Sequence, residues 1–405
     1  MPQPDYTTTL LDLEYAEIDL ISQNPDSVVI EFHLKRRVHH CPHCDTLTDI
    51  VHDYRTQFVK DIPVLGRPLV WKYRKRRYHC PCCGKHFFET NHLLPKWHRI
   101  TSRLAVFALS LLREKRSVKD IALSLNISSS SLFRWLQYVH FPAPDGLPRT
   151  LSIDEFKGNA DHRKFQCIIT DPVHKRVIDI LPDRSQTTLL NYFRSFPKEK
   201  RKNVKYFVSD MNRVYVNIAE RIFPDATIVI DKFHVARFCS WAVENVRRNM
   251  QKDLPQYRRK YMKRSRKLLL MPMEDLNDEQ REQVINMLQL STKLENAYLL
   301  KEYFHEFMKS ENAAEAKERL HNFRILAATV QIEEFETCLK MLENWEPYIL
   351  NAFDTKLSNG FTEGTNNMIK VIKRIAFGYR SFEHLRKRIF LITNHLKKSP
   401  GVSSG

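Results

Sequence analysis

The sequence predicts a multidomain chain that joins an α/β part to all-α parts, on three observations. From residue 150 onward, short apolar segments of strand length follow one another: LSIDEF (151–156), FQCIIT (165–170), RVIDIL (176–181), VKYFVS (204–209) and ATIVI (226–230). Helical stretches at about 186–196 and 211–222 separate the later ones, and three strands in quick succession followed by strand–helix alternation make a mixed sheet. From 232 to about 350 no strand pattern recurs, only long charged helical stretches. At the front, five of the eight cysteines fall into two tight groups, Cys41/Cys44 and Cys80/Cys82/Cys83. With 405 residues, 42% of them apolar, the chain has material for about two or three domains with buried cores. Its 9 glycines exclude collagen-like and flexible low-complexity designs and argue against a glycine loop for phosphates.

Charge points to the partner. Lys plus Arg is 65 and Asp plus Glu is 47, a formal +18, as suits a polyanion whose counterions are released on binding. The excess is unevenly spread. Residues 1–50 carry 3 basic and 9 acidic groups; residues 51–150 carry 18 and 6, residues 234–270 carry 11 and 2, and residues 364–405 carry 9 and 1. Three separate basic blocks suit several surfaces on one long nucleic acid better than general solubility or an anionic membrane, because no basic amphipathic helix with a lipidation site accompanies them. No apolar run is long enough to span a bilayer, and the acidic N-terminus is not a signal peptide, so an intracellular protein is expected.

Taken in order, residues 29–34 (VIEFHL) and 69–73 (LVWKY) read as short strands beside the cysteine groups. Cys41-Pro-His-Cys44 and Cys80-Pro-Cys-Cys83, followed by Gly84, are two knuckles that can close a tetrahedral thiolate site around structural Zn²⁺. The four ligands expected are Cys41, Cys44, Cys80 and Cys83; Cys82, His40, His43 and His79 are competing donors, and 35 residues separate the knuckles. The scattered Cys167, Cys239 and Cys338 read as small core residues. Residues 102–140 read as helical throughout, and within them Ser117 can cap a helix with Ile121, Ala122 and Leu125 on its apolar face. The turn LNIS (125–128) and a second helix from Ser129 to Gln137, exposing Ser130, Ser131 and Arg134, follow helix-turn-helix grammar, in which the second helix reads the major groove; an ordinary helical hairpin is the bland alternative. FPAPDGLPR (141–149), with three prolines and a glycine, is a linker.

Three carboxylates attract chemistry. Asp154 lies within the first strand of the α/β part, Asp210 ends VKYFVSD at the carboxyl edge of the sheet, and Glu363 begins the helix TEGTNNMIKVIKR. Together they offer hard oxygen ligands to Mg²⁺, and two such ions, one for the attacking and one for the leaving oxygen, make a phosphodiester-cutting site. Singly, each is an ordinary cap or surface charge. Asn367, Lys370 and Arg374 continue the Glu363 face of that helix, with Lys373 beside them, a basic strip suited to DNA phosphates.

The knuckles, the helix-turn-helix pattern, SIDEFKG, VSDMNRVY, IDKFHVAR and SNGFTEGTNNMIKVIKRIAFGYRSFEHLRKR together resemble bacterial insertion-sequence DDE transposases of the ISL-three type, in order and over nearly the whole chain. The resemblance implies a zinc-binding module (1–95), a helix-turn-helix domain (96–140), a linker (141–150), an RNase H-like catalytic core (151–235), a helical insertion (236–350) and core helices carrying Glu363 (351–405). It implies the triad Asp154, Asp210 and Glu363 with two Mg²⁺, replaceable by Mn²⁺. It places Asp231 and His234, from the DxFHV motif, near the site, with helix capping by Asp231 as the alternative. The implied activity is cleavage and strand transfer at terminal inverted repeats by a dimer acting on double-stranded DNA in the nucleoid. A DNA-binding regulator that has lost catalysis is the alternative.

Overall fold

A computed structural model describes residues 13, 15–90, 94, 98–376 and 378–395. The chain divides into two compact units, residues 1–141 with 371–405, and residues 142–370.

The first unit opens with β1 (Ala16–Asn24), β2 (Ser27–Leu34), β3 (His39–His40), β4 (Leu47–Thr48), β5 (Val51–Val64), β6 (Arg67–His79) and β7 (His86–Phe88). The main sheet has the order β1-β2-β6-β5, with β7 on β6, and β3 pairs with β4 apart from it. Alternation explains its core: Val28, Ile30, Phe32 and Leu34 are buried from every second position of β2, against Leu69, Trp71 and Tyr73 of β6. Phe32 stacks on Tyr73 at 5.2 Å and meets Trp71 edge-on at 5.5 Å.

Three helices follow, α1 (Ser102–Leu111), α2 (Val118–Ser124) and α3 (Ser129–Gln137). The helical stretch 102–140 is broken into three, at the Ser117 cap and at the 125–128 turn read from the sequence. Thr101, Ser117 and Ser128 each cap a new start by accepting from a backbone amide three residues on, and Asn126 adopts a left-handed φ of 52° that ends α2. The stretch also carries its own stop signals. The boundary expected at 95/96 falls outside the described residues.

In the second unit, β8 (Thr150–Phe156), β9 (Gln166–Asp171) and β10 (Arg176–Leu181) run antiparallel. Then come α4 (Gln186–Arg194), α5 (Lys198–Lys202), β11 (Tyr206–Ser209), α6 (Arg213–Ile222) and β12 (Thr227–Ile230). The sheet order is β10-β9-β8-β11-β12, with β8, β11 and β12 parallel. Leu151, Ile153, Phe207 and Ile230 face Leu189 and Phe193 of α4 and Tyr215 and Ile218 of α6 in one buried core. On the other face, Val208 and Val229 pack on Ala352.

Helices then run without a strand: α7 (Lys232–Met250), α8 (Gln256–Arg264), α9 (Arg266–Leu270), α10 (Asp278–Leu288), α11 (Thr292–Met308), α12 (Ala313–Val330) and α13 (Glu336–Thr355). Cys239 and Cys338 are buried within this helical part, and Cys167 within β9. α14 (Gly360–Ile375) returns to the sheet, and α15 (Phe382–His395) closes the described chain. Residues from 371 onward group with the first unit, where Leu391 joins Leu104, Ile121, Leu132 and Leu136 of α1–α3 in a single core. Residues 351–370 group with the second unit.

Candidate zinc centre and carboxylate site

The two knuckles fold alike. Asp45 N donates to Cys41 O at 2.9 Å and Gly84 N to Cys80 O at 3.0 Å. Asp45 and Gly84 both turn left-handed, with φ of 59° and 70°, directly after the second cysteine of their knuckle. Cys41 Sγ lies 3.6 Å from Cys83 Sγ, and Cys44 Sγ 3.4 Å from Cys80 Sγ. Bonds of about 2.3 Å to a tetrahedral Zn²⁺ would set sulfurs roughly 3.8 Å apart, so the four thiols already stand close to the required spacing. Among the described residues, Cys41, Cys44, Cys80 and Cys83 are the only group of three or more His, Cys, Asp or Glu whose ligand atoms all lie within 4.8 Å of one another. Cys82 is exposed and outside the cluster.

On the helical module, Ser130 and Arg134 point into solvent from α3. Ser131 is half-buried: its hydroxyl is 2.9 Å from that of Ser128, and its amide donates to Ser128 Oγ at 3.1 Å.

In the second unit the sheet register assembles the carboxylates. Val208 of β11 is the partner of Ser152 of β8; two residues further along both parallel strands, on the same face, stand Asp210 and Asp154. Adjacent strands lie about 4.8 Å apart, so these are lateral neighbours. Asp154 is 9% exposed. Its Oδ1 accepts from Glu155 N at 2.7 Å, and its Oδ2 from Asn366 Nδ2 at 2.8 Å. Asp210 Oδ1 is buried with no hydrogen-bond partner. Burial pushes both carboxyls up to about 6, and the neighbouring charges of Asp210 and Glu155 push Asp154, and that of Glu155 pushes Asp210, further the same way. Asp210 does not cap the next helix; Asn212 does, accepting from Val214 N.

Glu363 arrives on the first turn of α14, held against the sheet by hydroxyls. Thr362 Oγ1 lies 2.7 Å from Thr170 Oγ1 and donates to Ser152 Oγ at 3.1 Å. Ser152 also donates to the Asn359 side chain, and Asn359 N to Asp231 Oδ2. Asp231 is 3% exposed and caps α7 through Phe233 N at 2.7 Å, so its side chain serves the backbone of two helix starts. His234, three residues on, sets its Nε2 3.0 Å from Glu363 Oε1, an ion-pair distance without hydrogen-bond alignment. The charge of His234 also acts on Asp154 and Asp210, opposing the upward push of burial on both.

Sequence reasoning passed over several residues here. Asn366 positions Asp154; it stands next to Asn367, the member of the pair that the helical face had selected. Glu155 accepts from Tyr215 at 3.0 Å and pairs with Arg184. Asn367 itself is exposed and accepts from Lys370 Nζ at 3.0 Å, and Lys370 is exposed. Arg374 is exposed and Lys373 half-buried on the last turn of α14.

The fold and its two sites define a zinc-ribbon protein with an α/β carboxylate centre. Comparison with known proteins is more specific. A transposase family of the ISL3 type matches residues 151–389, and the zinc finger of the transposases of IS204, IS1001, IS1096 and IS1165 matches residues 37–83. The chain is 28% identical over 357 residues to the transposase for insertion sequence element IS1001 of Bordetella parapertussis, covering 86% of this chain and 87% of that one. It is 25% identical over 277 residues, 62% of each chain, to the transposase for IS1557 of Mycobacterium tuberculosis. A shorter stretch of 108 residues, 27% of the chain, is 34% identical to a Lactococcus lactis protein described as an ATP-dependent protease, over 33% of that protein. The match over residues 151–389 covers more than half of the chain, which therefore belongs to the ISL3-type transposase family. Among the described residues, no helix is long and apolar enough to cross a membrane.

Proposed function

We propose that the protein binds the terminal inverted repeats of its own insertion sequence and performs metal-dependent strand cleavage and strand transfer on double-stranded DNA. The observation that carries this reading is the pair Asp154 and Asp210 on neighbouring parallel strands, Asp154 buried within β8 and Asp210 half-buried directly after β11, with one buried oxygen of Asp210 left without a partner. Two neighbouring carboxylates drawn out of water and pushed toward protonation are poor structural elements and good cation ligands. Sheet order and the helical stretch between β12 and α14 suit an RNase H-like core with an insertion.

Asp154, Asp210 and Glu363 are the residues that would hold Mg²⁺, or Mn²⁺ in its place, and they fit: hard oxygens, partly desolvated, one with an open lone pair. Bound there, two such ions supply a reactive water and stabilise charge on the attacking and leaving oxygens. The chain's own part is positioning. Asn366 fixes the Asp154 carboxylate, the Ser152–Thr170–Thr362 hydroxyls fix the start of α14, and His234 holds Glu363 toward the aspartates. No covalent protein–DNA intermediate is required. Lys370, with Lys373 and Arg374 beyond it, grips phosphate: seven residues from Glu363 is about 10 Å along the helix, too far for the metals and suited to the next phosphate. The zinc ribbon and the α2–α3 helices, through Ser130 and Arg134, read the repeat as a helix-turn-helix would. An element has two ends, so a homodimer on nucleoid DNA in the cytoplasm is the assembly proposed.

The deciding assay incubates the full chain and Mg²⁺ with a DNA fragment bearing the element's flanking repeats. Cleavage at the element ends, abolished in Asp154→Ala, Asp210→Ala and Glu363→Ala with repeat binding retained, is the expected result. Binding without cleavage by the wild-type chain would leave only a DNA-binding regulator.

A further inference from the structure

α7 starts at the carboxylate site and shows solvent a regular line of side chains. Phe233, Arg237, Trp241 and Asn245 recur every fourth residue and are exposed, and Arg248 extends the line. Phe233 is 59% and Trp241 50% exposed. Single exposed apolar residues are ordinary; two large aromatics on one helical line with arginine between them form a patterned face. The Arg237 guanidinium lies 4.9 Å from the centroid of the Trp241 ring, and Phe238 supports that ring at 5.3 Å. The helix has one acid, Glu244, which is buried and engaged by Arg247 at 2.7 and 2.8 Å and by Arg248 at 3.0 Å, so no carboxylate interrupts the exposed line.

We propose, resting on the DNA-processing reading above, that this face of α7 binds unpaired nucleotides of the DNA beside the cut. Phe233 and Trp241 stack on bases, and Arg237 meets the phosphate between them. The face begins one residue from His234, which pairs with Glu363, so DNA held at the carboxylates has this helix as its neighbour. From Phe233 to Arg248 is about 22 Å at 1.5 Å per residue, room for several nucleotides. Within a duplex the faces of bases are covered by their neighbours, so exposed rings select bases that are unpaired or at an end. A second copy of the chain is a poorer occupant, because a symmetric contact would set Arg237 against like charge.

The test uses the full-length chain without Mg²⁺ and two probes: a blunt duplex, and the same duplex with a short unpaired adenine tail carrying 2-aminopurine. The wild type should bind the tailed probe about tenfold more tightly than the blunt one and quench the 2-aminopurine. Trp241→Leu and Phe233→Leu should each lose about that preference and much of the quenching, while Trp241→Phe keeps both. Blunt-duplex affinity and melting temperature should be unchanged in all three, since the side chains are exposed. Equal binding of the two probes by the wild type, or undiminished quenching in Trp241→Leu, overturns this inference and leaves the proposed function standing. Failure of the wild type to bind either probe at low salt overturns both.

Discussion

Asp154 and Asp210 sit where an ionised carboxylate is costly, and that cost has a measurable pH signature. Burial first, then the neighbouring acid charges, raise both to about 6 from an ordinary value near 4. A raised carboxyl pKa means that the folded chain holds protons the unfolded chain has released, so between about pH 4 and pH 6 the metal-free fold loses stability as pH rises. The loss is on the order of 2–3 kcal/mol per carboxyl and complete by about pH 7. Asp154→Asn should remove its share: relative to the wild type, the metal-free variant should melt several degrees higher at pH 7.5 and about the same at pH 4. Mg²⁺ should raise the wild-type melting temperature more at pH 7.5 than at pH 5, because it binds the ionised form. Thermal melts with and without chelator decide it; a pH-independent gap between the two proteins would mean that Asp154 ionises freely. Both aspartates were legible in the sequence, one inside a strand and one at a strand's end. Asn366 was not, because its bond to Asp154 joins positions 212 residues apart, and no local period encodes such a contact.

At the scale of elements, the cysteine knuckles were readable because spacing and turn chemistry are local. Each knuckle is one tight turn ending in a left-handed residue, glycine in one case and Asp45 in the other. The place of Cys82 was not readable, since only the fold shows that it is exposed and outside the group of four sulfurs. Metal analysis of the purified chain should find about one Zn²⁺. Cys44→Ser should lose it and unfold the ribbon, whereas Cys82→Ser should keep both metal and fold. Zinc lost in Cys82→Ser and retained in Cys44→Ser would reverse the ligand assignment. The strands of the α/β part were likewise visible as apolar runs, within two residues of their observed bounds. The breaks before α2 and α3 were legible for the same local reason, through the Ser117 cap and the turn at 125–128.

Across the whole molecule, sequence order misleads about which parts fold together. Residues 1–140 look self-sufficient as a DNA-reading half, with their own linker at 141–149. Yet α15, some 250 residues later, completes the helical module. Leu391 enters its core, Phe133 stacks on His384 at 4.9 Å, and Lys387 Nζ donates to Gln137 O at 2.8 Å. Arg388, 1% exposed, donates to the carbonyls of Glu114 at 2.9 Å and Arg116 at 2.6 Å, in the loop between α1 and α2. One buried leucine is worth about 1.5–3 kcal/mol and charged hydrogen bonds to buried carbonyls roughly 1.5–3 kcal/mol each. Together these come to about 5–9 kcal/mol, so a module deprived of α15 should lose a large part of the stability of a small domain. A chain ending at 381 should show an earlier melting transition and bind repeat DNA several-fold more weakly than the full chain, although every α2–α3 side chain and all three carboxylates remain. Leu391→Ala should move both readouts in the same direction by a smaller amount, which separates loss of packing from loss of the basic residues at the C-terminus. The full-length Asp154→Ala chain should bind like the wild type. If the truncated chain melts and binds as the full chain does, α15 is dispensable to the module and residues 1–140 are the independent reader that their sequence suggests.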